Sequence, residues 1–460
     1  MQQKFTTSER RAVFGLSAIY GLRMFGLFLI LPVLAIYADK LEGSTPFLVG
    51  MALGAYGIAQ AILQIPFGLL SDKFGRKRII TIGLVIFAFG SLIAGMADNV
   101  YLMIIGRVLQ GSGAIAAAVL ALTADLTREN QRSKAMAVIG MSIGGSFMLA
   151  FILASPLVSM FGFSGIFYVT ALMAILAIFA LWFYVPTQAP KASRDVKFVV
   201  SDFWALLKHP QLMRLNFGIF ALHCILTALF VVIPLLLVNR AELASKEHWK
   251  MYVPVMLASI LLMAPMIMAS TKTHLVMRIF LMAICLLMLA QLLLFVSALD
   301  NVFSIALCLL VFFIGFNALE ALLPSLITRV SPAANKGTAV GIYNTFQFSG
   351  VFVGGAVAGY LMGTSGENMV FVFCGVLLII WASLVIFSPA IALYDSKLIK
   401  LKQNLGQQTK EIDQIYANLL ALDGVKDVTI IQEESIAYLK VDKAQLVVSE
   451  LNNFDFVEND

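Results

Sequence analysis

Charged side chains are scarce in this chain of 460 residues: Asp, Glu, Lys and Arg make up only 13% of it, against 60% hydrophobic residues. So low a charge content excludes a water-soluble globule, whose surface needs more polar groups than this, and the mean hydropathy of +0.91 points the same way. Cysteine is scarce too. Cys224, Cys285, Cys308 and Cys374 lie in apolar segments with neither the spacing of a disulfide framework nor that of a thiolate metal site. They read as small core residues, and no metal or other cofactor is expected. The Gly-x-x-x-x-Gly-Lys nucleotide loop is missing, as is any hydrolytic motif, so an enzyme is not expected. The polar, basic residues up to Arg11 run straight into an apolar segment with no small-residue cleavage site. A removable signal peptide is therefore not expected, and the first apolar segment stays in the mature protein.

Long apolar runs are what the chain has in abundance. A bilayer core needs about 20 apolar residues per helix, and twelve stretches meet that length, near 12–38, 47–70, 79–97, 101–124, 135–158, 165–186, 213–238, 251–270, 279–299, 302–328, 337–361 and 368–390. Placing the N-terminus in the cytoplasm puts Arg10, Arg11, Lys73, Arg76, Lys77, Arg78, Arg128, Arg132, Lys134, Arg329 and Lys336 inside, and leaves Lys40, Arg240, Lys246 and Lys250 outside. The positive-inside rule thus sets the orientation, with both termini cytoplasmic. The net charge of +6 reflects topology, not nucleic-acid binding. The expected class is an all-α membrane protein of twelve transmembrane helices in two six-helix halves, 1–186 and 213–390, held in the cytoplasmic membrane. The cytoplasmic linker 187–212 carries Phe203, Trp204, Leu206 and Leu207 beside Lys208; it reads equally as an interfacial helix or a plain tether.

Between the second and third stretches lies Gly68-Leu69-Leu70-Ser71-Asp72-Lys73-Phe74-Gly75-Arg76-Lys77-Arg78. Its glycines permit a tight turn and close helix approach, an acid sits just past a helix end, and four bases attend it. The pattern resembles the signature loop of major facilitator superfamily transporters, which joins helices 2 and 3 and latches the outward-facing state. The resemblance implies that Arg76 reaches Asp125 at the end of the fourth helix, that Asp72 faces the start of the eleventh around Gly337 and Thr338, and that these contacts form when the cytoplasmic side closes. Gly68, Asp72, Gly75, Arg76 and Asp125 are thus the expected conformational latch. A carboxylate favours a helix N-terminus by roughly 0.3–1 kcal/mol at exposed sites, and an Arg–carboxylate pair adds direction.

An internal repeat agrees with the two halves. Leu126-Thr127-Arg128 followed by Lys134 to Gly140 is similar to Ile327-Thr328-Arg329 followed by Lys336 to Gly341, as parallel repeats about the membrane normal would require. After Pro389 the composition turns acidic and no stretch is long enough to span. Helical spacing at Ile412, Ile415, Tyr416, Leu419 and Leu422, a turn at Asp423-Gly424, strands at Val425 to Ile431 and Ile436 to Val441, a helix at Gln445 to Leu451 and a first strand near Leu398 to Leu401 give a βαββα(β) order. Residues 391–460 therefore read as a soluble cytoplasmic α+β domain of ferredoxin-like type. Leu422 to Val428 also resembles the helix-to-strand turn of heavy-metal-associated domains, without their paired cysteines. A superfamily transporter with such an appendage resembles the YajR-type transporters.

Three formally charged residues lie well inside the spans: Arg23, Arg107 and Glu320. Such residues are expensive in hydrocarbon and mark pathways or coupling sites. Arg107 opens Arg107-Val108-Leu109-Gln110-Gly111-Ser112-Gly113-Ala114, which resembles the helix 4 motif of proton-coupled members, where the arginine acts on a nearby acid. Glu320 is the buried acid available to carry the proton, in exchange with a pairing to Arg23 or Arg107, and His223 is a candidate to join the relay. Tyr56, Gln60 and Gln64 on the second helix, Gln110 on the fourth and Tyr343, Asn344 and Gln347 on the eleventh are expected to line a substrate cavity. Gly350, Gly354, Gly355 and Gly359 read as close-packing positions. On the fifth helix Ser155 precedes Pro156 where antiporters usually have a Gly-Pro pair. The expected function is alternating-access secondary transport of a small molecule, with protons as the coupling ion and efflux as the direction. A nutrient uniporter or symporter, or a membrane sensor signalling through residues 391–460, are the alternatives. The expected partners are the lipid bilayer, the substrate and protons, with the chain a monomer.

Overall fold

The computed structural model describes residues 5–187, 200–297, 299–332, 335–389, 395–401, 409–431, 436–441 and 454. The chain divides into two compact units, one of residues 1–198, 217–320 and 344–385, the other of residues 199–216, 321–343 and 386–460.

Caps and glycines set the first helices. Helix α1 (Thr7–Phe28) starts with a capping box in which the Thr6 hydroxyl accepts from Glu9 N and the Glu9 carboxylate accepts from Thr6 N. A break at Leu29 and Ile30 separates it from α2 (Leu31–Ala38). Helix α3 (Pro46–Phe74) has Thr45 as its cap and proline in its first turn, and ends at Gly75, whose φ of 95° suits a residue without a Cβ. There α4 (Arg76–Gly95) begins directly. Asn99 caps α5 (Val100–Ser112), and a break at Gly113 to Ile115 leads into α6 (Ala116–Asp125).

Helix α7 (Glu129–Phe183) runs for 55 residues with a break at Gly162, where φ is 73° and ψ is 174°. An unbroken helix of that length would be roughly 80 Å long, far more than a bilayer core, so the break makes two crossings of it. The second half continues with α8 (Val200–Lys208), α9 (Pro210–Asn239), α10 (Trp249–Ala269), α11 (Thr273–Val296), α12 (Val302–Val330), α13 (Lys336–Ser365) and α14 (Glu367–Ile386). Among the described residues, eleven continuous segments are long and apolar enough to cross a membrane, one of them 50 residues long. Divided at Gly162, they give the twelve crossings expected. In the linker, which reads equally as an interfacial helix or a plain tether, α8 is helical, while residues 188–199 lie outside the described residues.

In the first unit, Tyr56, Leu84, Phe87, Ile115, Val119 and Phe348 belong to one buried cluster, whereas Phe89, Leu172 and Leu261 point outward, as residues facing lipid do. Glycines set the closest helix approach. A Cβ on Gly50 of α3 would strike the Gly355 carbonyl oxygen of α13, one on Gly54 would meet Phe352 O at 2.7 Å, and one on Gly359 would meet Pro46 O at 2.5 Å. On α13, Gly350 and Gly354 instead abut the Phe220 and Cys224 carbonyls of α9. The four glycines are thus close-packing positions, turned to two different neighbours.

In the second unit, β1 (Asp395–Lys400), β2 (Val425–Ile431) and β3 (Ile436–Val441) form an antiparallel sheet in the order β1-β3-β2, with α15 (Thr409–Leu420) crossing over between β1 and β2. Ile399, Ile415, Leu419, Val428, Ala437 and Leu439 fill its core. This is the first part of the ferredoxin-like order. Its first strand starts at Asp395, three residues before the expected Leu398, and the helix expected at Gln445 to Leu451 lies outside the described residues.

Candidate functional site

On α12, Phe313, Phe316, Asn317 and Glu320 recur at helical spacing and share one face. Glu320 lies in the middle of the helix, yet its side chain is 36% exposed, and its Oε2 has no hydrogen-bond partner. Its titratable neighbour is His223 of α9, with Nε2 and Oε2 3.8 Å apart. Gln347 of α13 brings its side-chain nitrogen within 2.8 Å of the same imidazole nitrogen. If the amide N–H donates, His223 holds its proton on Nδ1; with the amide turned over, the ring N–H donates to the amide oxygen. The site can therefore pass between two hydrogen-bonding arrangements beside a carboxylate. Aromatic rings wall it: Phe316 lies 5.9 Å from the imidazole centroid, and Phe147 of α7 stacks on Phe316 at 6.0 Å.

Arg23 and Arg107 do not pair with Glu320 here, which corrects the expected pairing. Both are 1% exposed and take acceptors within their own half. The Arg23 Nη2 donates to Gln60 Oε1, and Gln60 Nε2 donates to Gln64 Oε1 at 3.2 Å. Arg107 donates from Nε to the Ala52 carbonyl at 3.2 Å and from Nη1 to Gln110 Oε1 at 2.8 Å, while Gln110 Nε2 donates to Ser91. The two guanidinium groups flank the ring of Tyr56, at 5.7 and 5.1 Å from its centroid. A buried cation needs acceptors and polarisable faces, and the amides expected to meet a substrate supply them. Accordingly Tyr56, Gln60, Gln64 and Gln110 are fully buried instead of lining an open cavity. Gln347 remains half-buried beside the Glu320 site, Asn344 is half-buried, and Tyr343 is buried.

The charged loop after α3 is tied down through Arg76. Its Nη2 pairs with Asp72, its Nε donates to Asp125 Oδ2 at 3.3 Å, and its Nη1 donates to Ser71, whose hydroxyl donates to the Gly68 carbonyl at 2.6 Å. Lys77 donates to the Val185 carbonyl at 2.6 Å, just past the end of α7. The Arg76 pairs and the glycine contacts between the Pro46 end of α3 and the Gly359 end of α13 are present together. The hydroxyls of Tyr37 and Ser245 lie 3.2 Å apart.

One pair escaped sequence reasoning. Glu9 is only 4% exposed and takes the backbone N, Nε and Nη2 of Arg128 at 2.9, 2.8 and 2.9 Å. The Thr6-x-x-Glu9 capping box was visible, but nothing in the spacing names a partner 119 residues away.

Comparison with known proteins agrees with this architecture. The Major Facilitator Superfamily profile matches residues 16–355, and the YajR YAM domain profile matches residues 401–452. The inner membrane transport protein YajR of Escherichia coli K12 is 39% identical over 440 residues, covering 95% of this chain and 96% of that protein. An uncharacterized transporter of Buchnera aphidicola from Baizongia pistaciae is 36% identical over 377 residues, 82% of this chain and 96% of that protein. Among solved structures, a bacterial homologue of the lysosomal transporter Spinster superposes with a TM-score of 0.68 at 14% identity, over 84% of this chain and all of that one. At that identity the likeness shows the fold alone. The chain is therefore a multi-pass inner-membrane transporter, not an enzyme: a member of the Major Facilitator Superfamily of the YajR type, with a YAM domain at its C-terminal end.

Proposed function

We propose that this protein exports a small, partly apolar molecule in exchange for protons, by alternating access, with both termini in the cytoplasm. The observation that carries this reading is Glu320: an intramembrane carboxylate, partly exposed, with an oxygen free of hydrogen bonds and a histidine 3.8 Å away. A carboxylate left so poorly compensated in hydrocarbon is costly unless it works. In this reading Glu320 carries the proton, His223 and Gln347 change their hydrogen bonding as it arrives and leaves, and Arg23 and Arg107 keep the N-terminal half of the cavity positive. Phe147 and Phe316 offer the apolar wall against which a substrate lies. The Asp72, Arg76 and Asp125 set holds α3, α4 and α6 as one block and favours closure of the cytoplasmic side. The glycine seam between α3 and α13 seals the periplasmic side.

The test is transport in proteoliposomes under an imposed pH gradient. Glu320→Gln is expected to abolish gradient-driven flux while the protein keeps its thermal stability and its ligand-induced stabilisation. Unchanged gradient-driven flux in that variant would refute the assignment of the proton to Glu320.

A further inference from the structure

We propose that Glu9 and Arg128 are positioning residues of the transport cycle: their ion pair fixes the corner between α6 and α7, and so holds Asp125 where Arg76 can reach it. The inference rests on the latch reading of Asp72, Arg76 and Asp125. Asp125 is the last residue of α6, and Arg128 is the cap of α7, with φ of −61° and ψ of 151° and no side-chain capping bond. Only Leu126 and Thr127 lie between them. Whatever fixes Arg128 therefore fixes Asp125 to within a short piece of backbone.

Glu9 does this fixing with both oxygens. Its Oε1 accepts from Arg128 N and Nε, and its Oε2 accepts from Arg128 Nη2 and from Thr6 N at 2.8 Å. The contact is bidentate and charge-assisted, the strongest form such a pair takes, and the carboxylate holds the Arg128 guanidinium protonated, its pKa raised mainly by these hydrogen bonds. The same residues, with Ser8, Leu126 and Thr127, line a cleft of about 360 Å³. Across that cleft Glu9, near the start of α1, meets the corner through polar bonds. The corner has its own fastenings, Thr127 Oγ1 to the Thr123 carbonyl at 2.7 Å and Arg132 Nε to the Ala124 carbonyl at 3.2 Å, but both run back to α6. Glu9 ties the corner to α1, as Arg76 ties it to α4, so movement of α1 is carried to Asp125.

Amide hydrogen exchange on the full chain in nanodiscs tests this, read in two places: the corner, residues 123–132, and the glycine seam, residues 46–57. The variants are Glu9→Gln, which sets an amide N–H against donors, and Arg128→Lys, which keeps the charge but loses the fork. Arg76→Lys serves as the latch control, and a thermal melt of each variant confirms folding. Loosening the latch shifts the population toward the periplasmically sealed state, so all three variants are expected to slow exchange at the seam several-fold. Faster exchange confined to the corner in Glu9→Gln and Arg128→Lys, with Arg76→Lys still slowing the seam, would overturn the proposal and leave the latch standing. A seam indifferent to Arg76→Lys would sink the latch reading itself. A Glu9→Gln effect persisting beside that indifference would put the pair outside the latch, and so also overturn the proposal.

Discussion

Substituting Gly50 by Ala should hold the protein away from its periplasmically sealed state. The added Cβ would overlap the Gly355 carbonyl oxygen and lie 2.8 Å from the Cα and 3.0 Å from the N of Gly359. All three obstacles are backbone, so no rotamer change relieves them; α3 and α13 must separate. Overpacking a tight interface costs typically 1–3 kcal/mol, and the penalty falls only on the state in which the seam is closed. At about 1.4 kcal/mol per factor of ten, the ratio of sealed to open molecules should fall by about 5- to 150-fold. The assay is a distance distribution between spin labels at Glu42→Cys and Ser365→Cys, exposed positions beside the two helix ends. Cys285 is replaced by Ser because it is the exposed native thiol, whereas Cys224, Cys308 and Cys374 are buried. Gly140→Ala, where an added Cβ meets nothing within 4 Å, is the control and should leave the distribution unchanged. An unaltered short-distance population in Gly50→Ala would show that the backbone contact does not limit closure, and would refute the seam argument.

Further expectations follow from the two polar clusters and the appended domain. Gln60→Leu removes the acceptor of the Arg23 Nη2 and should destabilise the protein by about 1–3 kcal/mol, seen as a lower melting temperature in detergent; Gln60→Glu, which offers a counter-charge, should be tolerated better, and equal melting of the two would refute this account. Gln347→Leu deprives the His223 nitrogen of its 2.8 Å partner and should alter the pH profile of transport without preventing folding, checked by flux across a range of pH. Removing residues 391–460 should leave much of the transport rate in proteoliposomes, since Glu320, His223 and Arg76 all lie before Pro389; complete loss of flux in a well-folded truncation would count against this.

The membrane architecture was legible because hydrocarbon imposes a length and a composition, and twelve runs satisfied both. The loop from Gly68 to Arg78 was legible for a related reason: five charged residues between apolar runs need a purpose, and Gly75 sits where a positive φ is required. Glu320 announced itself by cost alone. Its partner did not, because whether an acid on α12 meets a histidine on α9 or an arginine on α1 depends on helix rotation and tilt, which no spacing records. The bonds of Gln60 to Arg23 and of Gln110 to Arg107 were illegible for the same reason: polar residues at helical spacing mark an inward face, but spacing does not say which buried cation they meet. Glu9 and Arg128 form a contact far apart in sequence, and only folding brings them together.

The break at Gly162 has a consequence for how the protein is made. Its φ and ψ fall in a region open essentially to glycine alone, and the turn reverses the chain with hardly any loop. Two apolar segments joined so tightly have no polar stretch between them long enough to rest in water while one waits for the other. They should therefore enter the bilayer together, as a preformed hairpin, and a bulkier residue at position 162 would show its effect in the yield of inserted protein before it showed in any rate of transport.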